Sequence, residues 1–475
     1  MQRRTKIVAT LGPATDDCLV LTDMVRAGLD VARINFSHGD HADHARRVAL
    51  VREAAARAGK IVAILADLGG PKIRIESFRD GRVRLAEGQA FALDPRIAAD
   101  AGVQHEVGIA YGNLHRDVSA GDTLLLADGQ IVLDVTAVDG PRVETVVRIG
   151  GELSNRKGLN RKGGGISAPA LSDKDRDDIR FAAGQEIDYV AVSFARDAAD
   201  IREARAKLRE WGGQGRIVAK IERHESVENL PSILDETDAV MVARGDLGVE
   251  MGYAEITGLQ KTILHQARGK FRVAITATQM MESMIQSPVP TRAEVSDVAN
   301  AVMDGTDAVM LSAETAVGRF PVKAVEAMAQ VIEGAEKYQL SRARAIDSWY
   351  FTRTDEAIAM AVMYTANHMR VRAIVALTES GSTPLWMSRI RSDIPIYAFT
   401  RHPATSRRVT LYRGVYPVPF DVTEADGAHV QESIFARLLE LRLVDSGDRV
   451  IITTGALTGV SGGTNAMQIL EVTRE

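Results

Sequence analysis

Two segments of the sequence put charged side chains at the ends of consecutive apolar runs. In VAKIERHE, Lys220 and Glu222 stand two residues apart, so on a strand they point to the same side. In MVARGDLGVE, Asp246 follows the apolar run 238–243, where we expect a strand to give way to a loop. A lysine beside two carboxylates suits phosphoryl transfer, because carboxylates can hold Mg²⁺ and the ammonium can face the transferring group. A surface salt-bridge cluster is the alternative, and it is disfavoured because these charges end apolar runs.

The composition indicates a soluble intracellular protein of two or three domains. The 475 residues are 45% apolar and 25% charged, with a formal net charge of −5 and a pI near 6.1. That charge, and the lack of any long basic run, argue against nucleic acid as a partner. Cys18 is the only cysteine, which excludes an intrachain disulfide and fits a reducing cytoplasm. No apolar stretch approaches the length of about 18 residues that a membrane helix needs, so we expect a cytoplasmic protein without membrane contact.

Short apolar runs alternate with amphipathic segments, a pattern typical of a parallel sheet with crossover helices. Eight such units predict an α/β fold built on a TIM (β/α)8 barrel, with a nearly open doubly wound sheet as the alternative. The expected strands are 6–10, 31–37, 61–67, 189–194, 216–222, 238–243, 272–277 and 307–312. The expected helices are 15–28, 41–58, 172–184, 197–211, 254–268, 291–304 and 321–337.

Two other patterns indicate further domains. Between the third and fourth runs, dense glycine turns and alternating residues, with Asp128-Gly129 as a hairpin signal, predict a small inserted β-barrel domain. Near the C-terminus, strands expected at 373–378, 395–400, 449–455 and 467–472 alternate with helices and predict an α/β domain. We therefore expect a barrel domain of 1–69 and 158–340, an inserted all-β domain of 70–157, a junction at 338–354 and a C-terminal domain of 345–475.

Polar residues collect where seven of the eight runs end. The carboxyl ends of barrel strands are where barrel enzymes keep their chemistry, and packing alone does not explain so many polar strand ends. The residues are Arg33, Asn35, Ser37, Asp67, Ser193, Lys220, Glu222, Arg244, Asp246, Thr278, Ser312 and Glu314.

These residues lie in motifs that resemble the pyruvate kinase family along essentially the whole chain. The motifs are TKIVATLGPAT, ARINFSHG, DLGGPKIR, KGLN, PALSDKD, VAKIERHE, MVARGDLGVE, TATQMMESM, PTRAEVSDVANAVMDG and DAVMLSAETA. The resemblance implies a phosphotransferase that moves phosphate from phosphoenolpyruvate to ADP, giving pyruvate and ATP in the final step of glycolysis. It also implies a cytoplasmic homotetramer in which the inserted domain is a lid and the C-terminal domain is regulatory.

The resemblance implies roles for single residues of the barrel. Glu222 and Asp246 match the ligands of Mg²⁺ or Mn²⁺, and Lys220 matches the lysine that stabilises charge on the transferring phosphoryl group. Gly245 and the amide of Asp246 match the cradle of the substrate carboxylate. Arg33 matches an arginine that grips phosphate oxygens.

Thr278 matches the family's hydroxyl beside the methylene carbon of the enolate. Because a threonine hydroxyl is a poor acid, we expect a water relay with Ser312 and Glu314, with helix capping by Thr278 as the alternative. The resemblance also implies a set of nucleotide-binding residues, namely Asn35, Phe36, Ser37, His38, Arg74 and Lys157. For Lys157 a solvated hinge position is a serious alternative. Where many members have Leu-Pro-Gly, this chain has Arg161-Lys162-Gly163, which leaves the effect on nucleotide closure open.

A further departure concerns a monovalent cation. Family members that require K⁺ hold it with residues matched here by Asn35, Ser37, Asp67 and the carbonyl of Leu68. They carry a glutamate where this chain has Lys72, and the ammonium can replace the ion and repel it. We therefore expect that K⁺ is not required; the alternative is that Lys72 points to solvent and the ion still binds.

The C-terminal domain carries two loops rich in small polar residues, TESGST at 378–383 and GALTGVSGGTN at 455–465. In the family such a loop binds a phosphorylated effector, a sugar phosphate or a nucleotide monophosphate, and helix capping is the alternative. The expected effector residues are Thr378, Ser380, Gly381, Ser382 and Thr383.

Two other functions remain open on the sequence. A lyase or aldolase that binds pyruvate on Mg²⁺ would share Glu222 and Asp246 but would not need Lys220 or Lys157. A catalytically silent regulator would keep the C-terminal loops, and the intact Lys220 argues against it. An assay of ADP-dependent pyruvate formation from phosphoenolpyruvate separates the three functions.

Overall fold

The structure is a computed structural model that describes residues 2–338, 351–423, 429–455 and 462–473, so most of the expected junction at 338–354 lies outside the described residues. The chain divides into two compact units. Unit 1 comprises Met1–Ala66, Gln185–Tyr189 and Ala267–Glu475, and unit 2 comprises Asp67–Gly184 and Val190–Gln266.

Eight parallel strands close into a barrel, which confirms the predicted α/β barrel fold and excludes the open doubly wound sheet. Each strand neighbours the strand before it in the chain, and the first pairs with the eighth, with Lys6 opposite Ala308. The strands are almost wholly buried because parallel strands of a barrel are covered on both faces. They are Lys6–Thr10, Val31–Asn35, Ala63–Asp67, Tyr189–Val192, Arg216–Ile221, Ala239–Ala243, Val273–Ala277 and Ala308–Leu311.

Helices follow the barrel strands, and local capping sets their ends. The helix Arg292–Asp304 begins after Thr291, whose backbone N–H donates to the Glu294 carboxylate at 2.7 Å in a capping box, and it ends at Gly305 with a φ of +90°. The helices of this region are Cys18–Ala27, His41–Ala58, Asp173–Gly184, Ala198–Glu210, His224–Glu228, Leu230–Glu236, Arg244–Met251, Ile256–Gly269, Arg292–Asp304, Ala313–Ala316 and Pro321–Tyr338, with 3-10 turns at Pro13–Thr15 and Glu282–Ile285.

The expectation of a loop after the sixth strand was wrong. A helix begins at Arg244, directly after the strand, and Asp246 lies in its first turn. The two glycines of this segment favour a loop, but tertiary contacts outweigh that preference. Leu247 is fully buried, and the buried carboxylate of Glu250 accepts the backbone N–H of His224 at 3.0 Å.

Between the third and fourth barrel strands the chain forms a six-stranded and a two-stranded sheet. The predicted hairpin at Asp128-Gly129 is confirmed, since both residues have a positive φ between two antiparallel strands. The strands are Arg82–Leu85, Ala90–Leu93, Glu106–Val107, Thr123–Leu126, Ile131–Asp139, Arg142–Ile149, Gly151–Ser154 and Leu159–Arg161, with a short helix at Leu114–Asp117.

The C-terminal part of unit 1 is a five-stranded sheet with helices. Its four expected strands are present, but one edge strand, Val415–Pro419, was missed because its two prolines read against a strand. The last strand runs antiparallel to its neighbour, unlike the other pairs. The other strands are Ala373–Leu377, Ile396–Thr400, Arg449–Gly455 and Thr464–Glu471, and the helices are Thr354–His368, Ser382–Ser388, Pro403–Arg408 and Val430–Glu440, with a 3-10 turn at Val409–Leu411.

No helix in the described part of the chain is both long enough and apolar enough to cross a membrane.

Candidate active site

Lys220 is the centre of a charged cluster in unit 2. Its Nζ lies 2.9 Å from Oε1 of Glu222 and 3.2 Å from Oδ1 of Asp67, and it donates to Oγ of Ser193 at 2.7 Å. The Lys220 side chain is 12% exposed, and both carboxylates are almost fully buried. Opposite charges at this distance compensate the removal of the ammonium from water. The three partners follow or end neighbouring barrel strands, so the barrel itself holds the ammonium in place.

Negative charge is concentrated around Glu222. Its Oε2 accepts the backbone N–H of Phe194 at 2.8 Å. Burial raises the pKa of Glu222; the ammonium of Lys220 opposes that rise, and the carboxylates of Asp246 and Asp67 add to it. A divalent cation beside Glu222 and Asp246 would relieve this repulsion between carboxylates.

The donor set fits a magnesium-type ion. Within the described ranges of the chain, no three or more His, Cys, Asp or Glu side chains gather as a metal site. If Glu222 and Asp246 were the protein ligands, oxygens of substrate and water would complete the shell. Mg²⁺ is commonly held in this way, by one or two carboxylates and substrate phosphate oxygens.

Lys72, in the segment after the third strand, contacts one of these two carboxylates, that of Asp246. Its Nζ donates to Oδ1 of Asp246 at 2.9 Å and lies 3.9 Å from Oδ1 of Asp128. The lysine stem lies against Gly158, where an added Cβ would come within 2.9 Å of the Lys72 Cε. The Lys72 ammonium is paired with Asp246. Because the side chain is 27% exposed, the ammonium is only partly hydrated.

Ser193 is the member of this cluster to which sequence reasoning assigned no role. Its hydroxyl donates to the carbonyl of Leu68 at 2.8 Å and accepts from Lys220. Gly70, with a φ of +64°, passes so close that an added Cβ would stand 2.7 Å from the Ser193 Cβ. The available signals were the position of Ser193 at the end of the fourth run and the paired glycines of DLGGPK.

Gly245 and Asp246 lie in the first turn of the helix Arg244–Met251. The first turn of a helix carries backbone N–H groups that the helix itself cannot satisfy, so it suits an anion such as a carboxylate.

In unit 1, Arg33 lies within the second barrel strand, and Thr278 follows the seventh. Arg33 is 9% exposed, and its Nη1 donates to Oγ1 of Thr10 at 2.8 Å. Thr278 has a φ of +68°, which is strained for a β-branched residue and typical of functional sites. Its hydroxyl donates to the carbonyl of Ala277 at 2.6 Å.

The Glu314 carboxylate accepts hydrogen bonds from two backbone N–H groups, one in the segment after Thr278 and one at the end of the eighth strand. Its Oε1 accepts from the N–H of Met281 at 3.1 Å, and its Oε2 accepts from the N–H of Ser312 at 2.7 Å. Glu314 therefore ties the segment that follows Thr278 to the end of the eighth strand. The expected proton relay through Glu314 stays a prediction.

The four residues expected to bind nucleotide at the end of the second strand differ in exposure. Ser37 and His38 are exposed, and the N–H of Ser37 donates to Oδ1 of Asn35 at 3.0 Å. The Phe36 ring is fully buried and stacks on His44 with 4.3 Å between ring centroids. The Phe36 side chain thus anchors the loop that presents Ser37 and His38.

The two nucleotide candidates of unit 2 lie on its antiparallel segments. Nη1 of Arg74 donates to the carbonyl of Arg156 at 3.0 Å, and the exposed Lys157 uses its carbonyl to accept from the N–H of Ile75. Among the contacts of the described residues, neither the Arg74 guanidinium nor the Lys157 ammonium contacts the Lys220 cluster.

The Arg161-Lys162-Gly163 departure forms an ordered turn. Gly163, Gly164 and Gly165 all have a positive φ, and Arg161 forms an ion pair with Asp122 at 2.9 Å. A Cβ on Gly165 would stand 2.0 Å from the Arg161 Nη1. The glycine run therefore makes room for the arginine.

The expected effector residues line a cavity of about 260 Å³ in unit 1. Thr378, Ser380, Ser382 and Thr383 contribute to its wall, while Gly381 has a φ of +85° at the N-cap of the helix that follows. The second expected loop, 455–465, lies partly outside the described residues, because 456–461 are not described.

Comparison with known proteins gives one family along most of the chain. The family model described as "Pyruvate kinase, barrel domain" matches residues 2–325, and the one described as "Pyruvate kinase, alpha/beta domain" matches residues 356–470. The chain is 50% identical over 477 residues to pyruvate kinase II of Salmonella typhimurium, covering 99% of each chain. It is 49% identical over 463 residues to pyruvate kinase of Haemophilus influenzae, covering 95% of this chain and 96% of that relative. It is 42% identical over 476 residues to pyruvate kinase of Geobacillus stearothermophilus, covering 99% of this chain and 80% of that relative.

The two carboxylates near Lys220 yield a prediction about metal binding. Glu222→Gln and Asp246→Asn should each weaken Mn²⁺ binding by about tenfold or more, because a neutral amide is a much poorer ligand for a hard divalent cation. Titration of free Mn²⁺ by electron paramagnetic resonance measures the affinity without reference to catalysis.

Glu250→Gln is the matched control, since Glu250 is also a buried carboxylate on the helix of Asp246. Its Mn²⁺ affinity should equal that of the unmodified chain. Unchanged affinities in both Glu222→Gln and Asp246→Asn would contradict the metal assignment.

Proposed function

This chain belongs to the pyruvate kinase family, and we propose that its phosphotransferase reaction, from phosphoenolpyruvate to ADP, depends on the ammonium of Lys220. The observation that carries the proposal is the buried cluster in which Lys220 contacts Asp67, Glu222 and Ser193. A lysine fixed in a barrel strand needs little rearrangement when negative charge develops on the transferring group. Preorganised charge of this kind is usually a large part of catalysis.

The other charged residues complete the binding of the phosphoryl group. Glu222 and Asp246 would hold Mg²⁺ or Mn²⁺, which when bound supplies positive charge beside the substrate oxygens. Arg33 would grip phosphate oxygens with its planar fork. The first-turn amides at Gly245 and Asp246 would hold the substrate carboxylate and fix the orientation of the phosphate ester.

Thr278 would act on the three-carbon product. Its hydroxyl, held by a strained backbone, would deliver a proton to the enolate carbon through ordered water, because the hydroxyl alone is a poor acid. The strain at Thr278 supports a role for this position beyond packing.

The nucleotide would be bound by the loop residues Asn35, Ser37 and His38 and by Arg74 and Lys157. Residues 70–157 would then form the lid domain, and residues 1–69 with 158–340 the catalytic barrel. The exposure of Ser37, His38 and Lys157 supports contact with a soluble phosphate ligand. Phe36 would serve through its backbone and by anchoring the loop.

We propose that the ammonium of Lys72 takes the place of K⁺. The Lys72 ammonium donates a hydrogen bond to the Asp246 carboxylate, and its positive charge would repel a second cation nearby. The carbonyl of Leu68 already accepts a hydrogen bond from Ser193. The carboxylate of Asp67 already forms an ion pair with Lys220. These donors reduce the capacity of both oxygens to hold a monovalent ion.

The C-terminal domain, 345–475, would be regulatory. The cavity at 378–383 would bind a phosphorylated sugar or nucleotide monophosphate, with hydroxyl and backbone donors around the anion. We infer the cytoplasmic homotetramer from the family alone.

Two other functions remain distinguishable by one assay. A lyase or aldolase would use Glu222 and Asp246 without ADP, and a silent regulator would turn over no substrate. The Lys220 ammonium, beside both carboxylates, favours phosphoryl transfer over either. Coupled measurement of pyruvate and ATP formed from phosphoenolpyruvate and ADP would exclude the proposed reaction if no ATP appeared.

Lys220→Met should reduce phosphoryl transfer by roughly a thousandfold or more, because charge on the transferring group loses its fixed cation. The measurement is the rate of ATP formation at saturating phosphoenolpyruvate, ADP and Mg²⁺. Lys207→Met, at a partly exposed lysine of the same unit, is the control and should retain the full rate. A rate for Lys220→Met close to that of the unmodified chain would rule out its role.

Activity of the unmodified chain should not depend on K⁺, whereas Lys72→Glu should create that dependence. The glutamate would restore the charge of family members that bind the ion. Rates are compared in KCl and in tetramethylammonium chloride at equal ionic strength. Lys72→Gln separates loss of the ammonium from gain of a carboxylate. Strong stimulation of the unmodified chain by KCl would refute the proposal.

Sugar phosphates or nucleotide monophosphates should shift the phosphoenolpyruvate saturation curve, and Ser380→Asp should abolish that shift by placing a carboxylate in the cavity. Ser232→Asp, at an exposed serine of unit 2, should leave the response intact. A panel of phosphorylated compounds that moves no saturation curve would contradict the regulatory role.

A further inference from the structure

The sheets inserted after the third barrel strand rejoin the barrel through residues 162–166 of unit 2, which we call the return turn. The turn follows the strand Leu159–Arg161 and contains three consecutive glycines, Gly163, Gly164 and Gly165. Their φ values are +81°, +75° and +90°, in a region that other residue types rarely adopt. The backbone of the return turn therefore favours glycine at three successive positions.

Glu225 holds the return turn from the barrel side. Its Oε1 accepts the backbone N–H of Gly165 at 2.5 Å. The same carboxylate lies against Gly164, where an added Cβ would come within 2.9 Å of Glu225 Oε1. Glu225 belongs to the short helix His224–Glu228, which follows the fifth barrel strand. The turn is thus anchored directly after the strand that carries Lys220.

Arg223 supports this contact and adds a second one. Its side chain is only 4% exposed, and its Nη2 lies 3.2 Å from Oε1 of Glu225. The same Nη2 donates to the carbonyl of Ile166 at 2.7 Å. The guanidinium therefore orients the Glu225 carboxylate and also binds the last residue of the turn.

A second buried carboxylate, that of Glu250, belongs to the same cluster. It accepts from the backbone N–H of His224 at 3.0 Å and from Nδ2 of Asn160 at 3.3 Å. Burial raises the pKa of Glu250 and the charge of Glu225 adds to the rise, whereas the charge of Arg223 opposes it. One guanidinium thus compensates two carboxylates, and both of these bind the returning chain.

Arg161 ties the return turn to the inserted sheets. Its Nη2 and Nε donate to the two carboxylate oxygens of Asp122 at 2.9 and 3.1 Å, and its Nη1 donates to the carbonyl of Gly164 at 2.8 Å. Asp122 directly precedes the strand Thr123–Leu126 of the six-stranded sheet. The hydrogen bonds from Arg161 lower the pKa of Asp122, so the pair is ionised. The turn is therefore held from the barrel and from the sheets.

Two of the three glycines make room for these charged side chains. A Cβ on Gly164 would meet the Glu225 carboxylate, and a Cβ on Gly165 would meet the Arg161 guanidinium. A Cβ on Gly163 would have no atom within 4 Å. Gly163 thus serves the backbone alone, whereas the other two glycines also admit the groups that hold the turn.

The position of Lys157 depends on this anchoring. Lys157 precedes the strand Leu159–Arg161, and that strand is held at Asn160 and just beyond its end. The carbonyl of Lys157 also accepts the N–H of Ile75, in the chain that leads into the inserted sheets. A displaced return turn would therefore displace Lys157.

The candidate metal ligand next to Arg223 in the sequence is held by other contacts. The Glu222 carboxylate accepts the N–H of Phe194 and pairs with the ammonium of Lys220. Neither contact involves Arg223 or Glu225. Loss of the anchoring should therefore leave the carboxylate of Glu222 in place.

We propose that Arg223 and Glu225 are positioning residues for the nucleotide, because they fix the return turn and thereby the place where Lys157 meets the phosphates of ADP. The inference rests on the nucleotide role proposed for Lys157. Neither residue touches a substrate, since each acts through the backbone of the turn. Loss of the anchoring weakens the binding of ADP and spares the binding of Mn²⁺ and phosphoenolpyruvate.

Hydrogen–deuterium exchange tests the anchoring in the full chain without substrate. Glu225→Gln should make exchange of the amides in 158–166 about tenfold faster, because a weaker acceptor lets the turn open more often. Glu228→Gln, at an exposed glutamate of the same helix, is the control and should leave exchange unchanged. Arg223→Met should have the larger effect, since it removes the contact with Ile166 as well.

Calorimetric titration tests the positioning role. Glu225→Gln should weaken binding of ADP in the presence of Mg²⁺ about tenfold, because Lys157 loses its fixed position. Affinities for Mn²⁺ and phosphoenolpyruvate should stay within about twofold of those of the unmodified chain, since their proposed ligands keep their contacts. General damage to the fold would weaken all three. Glu225 is partly exposed, so its variant carries the test even if Arg223→Met does not fold.

Two alanine variants of the turn isolate the contact with Glu225. Gly163→Ala and Gly164→Ala place alanine at φ values of +81° and +75°, so their backbone costs are similar. Only Gly164→Ala also puts a Cβ against the Glu225 carboxylate. The affinity for ADP should therefore fall in Gly164→Ala and persist in Gly163→Ala.

Unchanged exchange at 158–166 in both Glu225→Gln and Arg223→Met would overturn the anchoring. No selective loss of ADP affinity, whether all three affinities fall equally or none changes, would overturn the positioning role. Equal ADP affinities in the two alanine variants would overturn it as well. None of these measurements requires turnover, so a failure of the unmodified chain to form ATP would refute the proposed reaction separately.

Discussion

The partly buried ammonium of Lys220 is the constraint on which the rest of the site depends. An ammonium largely removed from water requires compensating charge, and Asp67 and Glu222 supply it. The carboxylates in turn require the lysine, because Glu222 also lies near the charge of Asp246. Asp67 ends the third barrel strand, Glu222 follows the strand that carries Lys220, and Asp246 comes after the sixth strand. The parallel barrel thereby converts distant sequence positions into one mutually stabilised cluster.

Sequence periodicity predicted eight strand–helix units and placed Lys220 and Glu222 on one side of a strand, but it left an open sheet as the alternative to the closed barrel. Residues two apart on a strand share a side, so that pairing follows from local geometry. The hairpin at Asp128-Gly129 was also readable, because its turn needs residues that tolerate a positive φ. Local patterns of this kind carry their own geometry.

Contacts between segments far apart in the sequence could not be predicted from local patterns. Lys72 meets Asp246 across 174 residues of sequence, and no local pattern encodes that distance. The helix at Arg244 depends on burial of Leu247, which overrides the glycines around it. The edge strand Val415–Pro419 depends on its neighbour in the sheet, since its own prolines read against it. The positive φ of Thr278 is likewise imposed by the folded structure and cannot be read from the residue type.

Closure of the barrel between its first and eighth strands has a consequence for biosynthesis. Lys6 pairs with Ala308, so the first strand keeps one unsatisfied edge until the eighth has been made. At about 5–20 residues per second, a ribosome needs roughly 15–60 s to travel that distance. An apolar strand edge left open for so long is prone to association with other chains. The nascent protein is therefore exposed to such association until the eighth strand has been made.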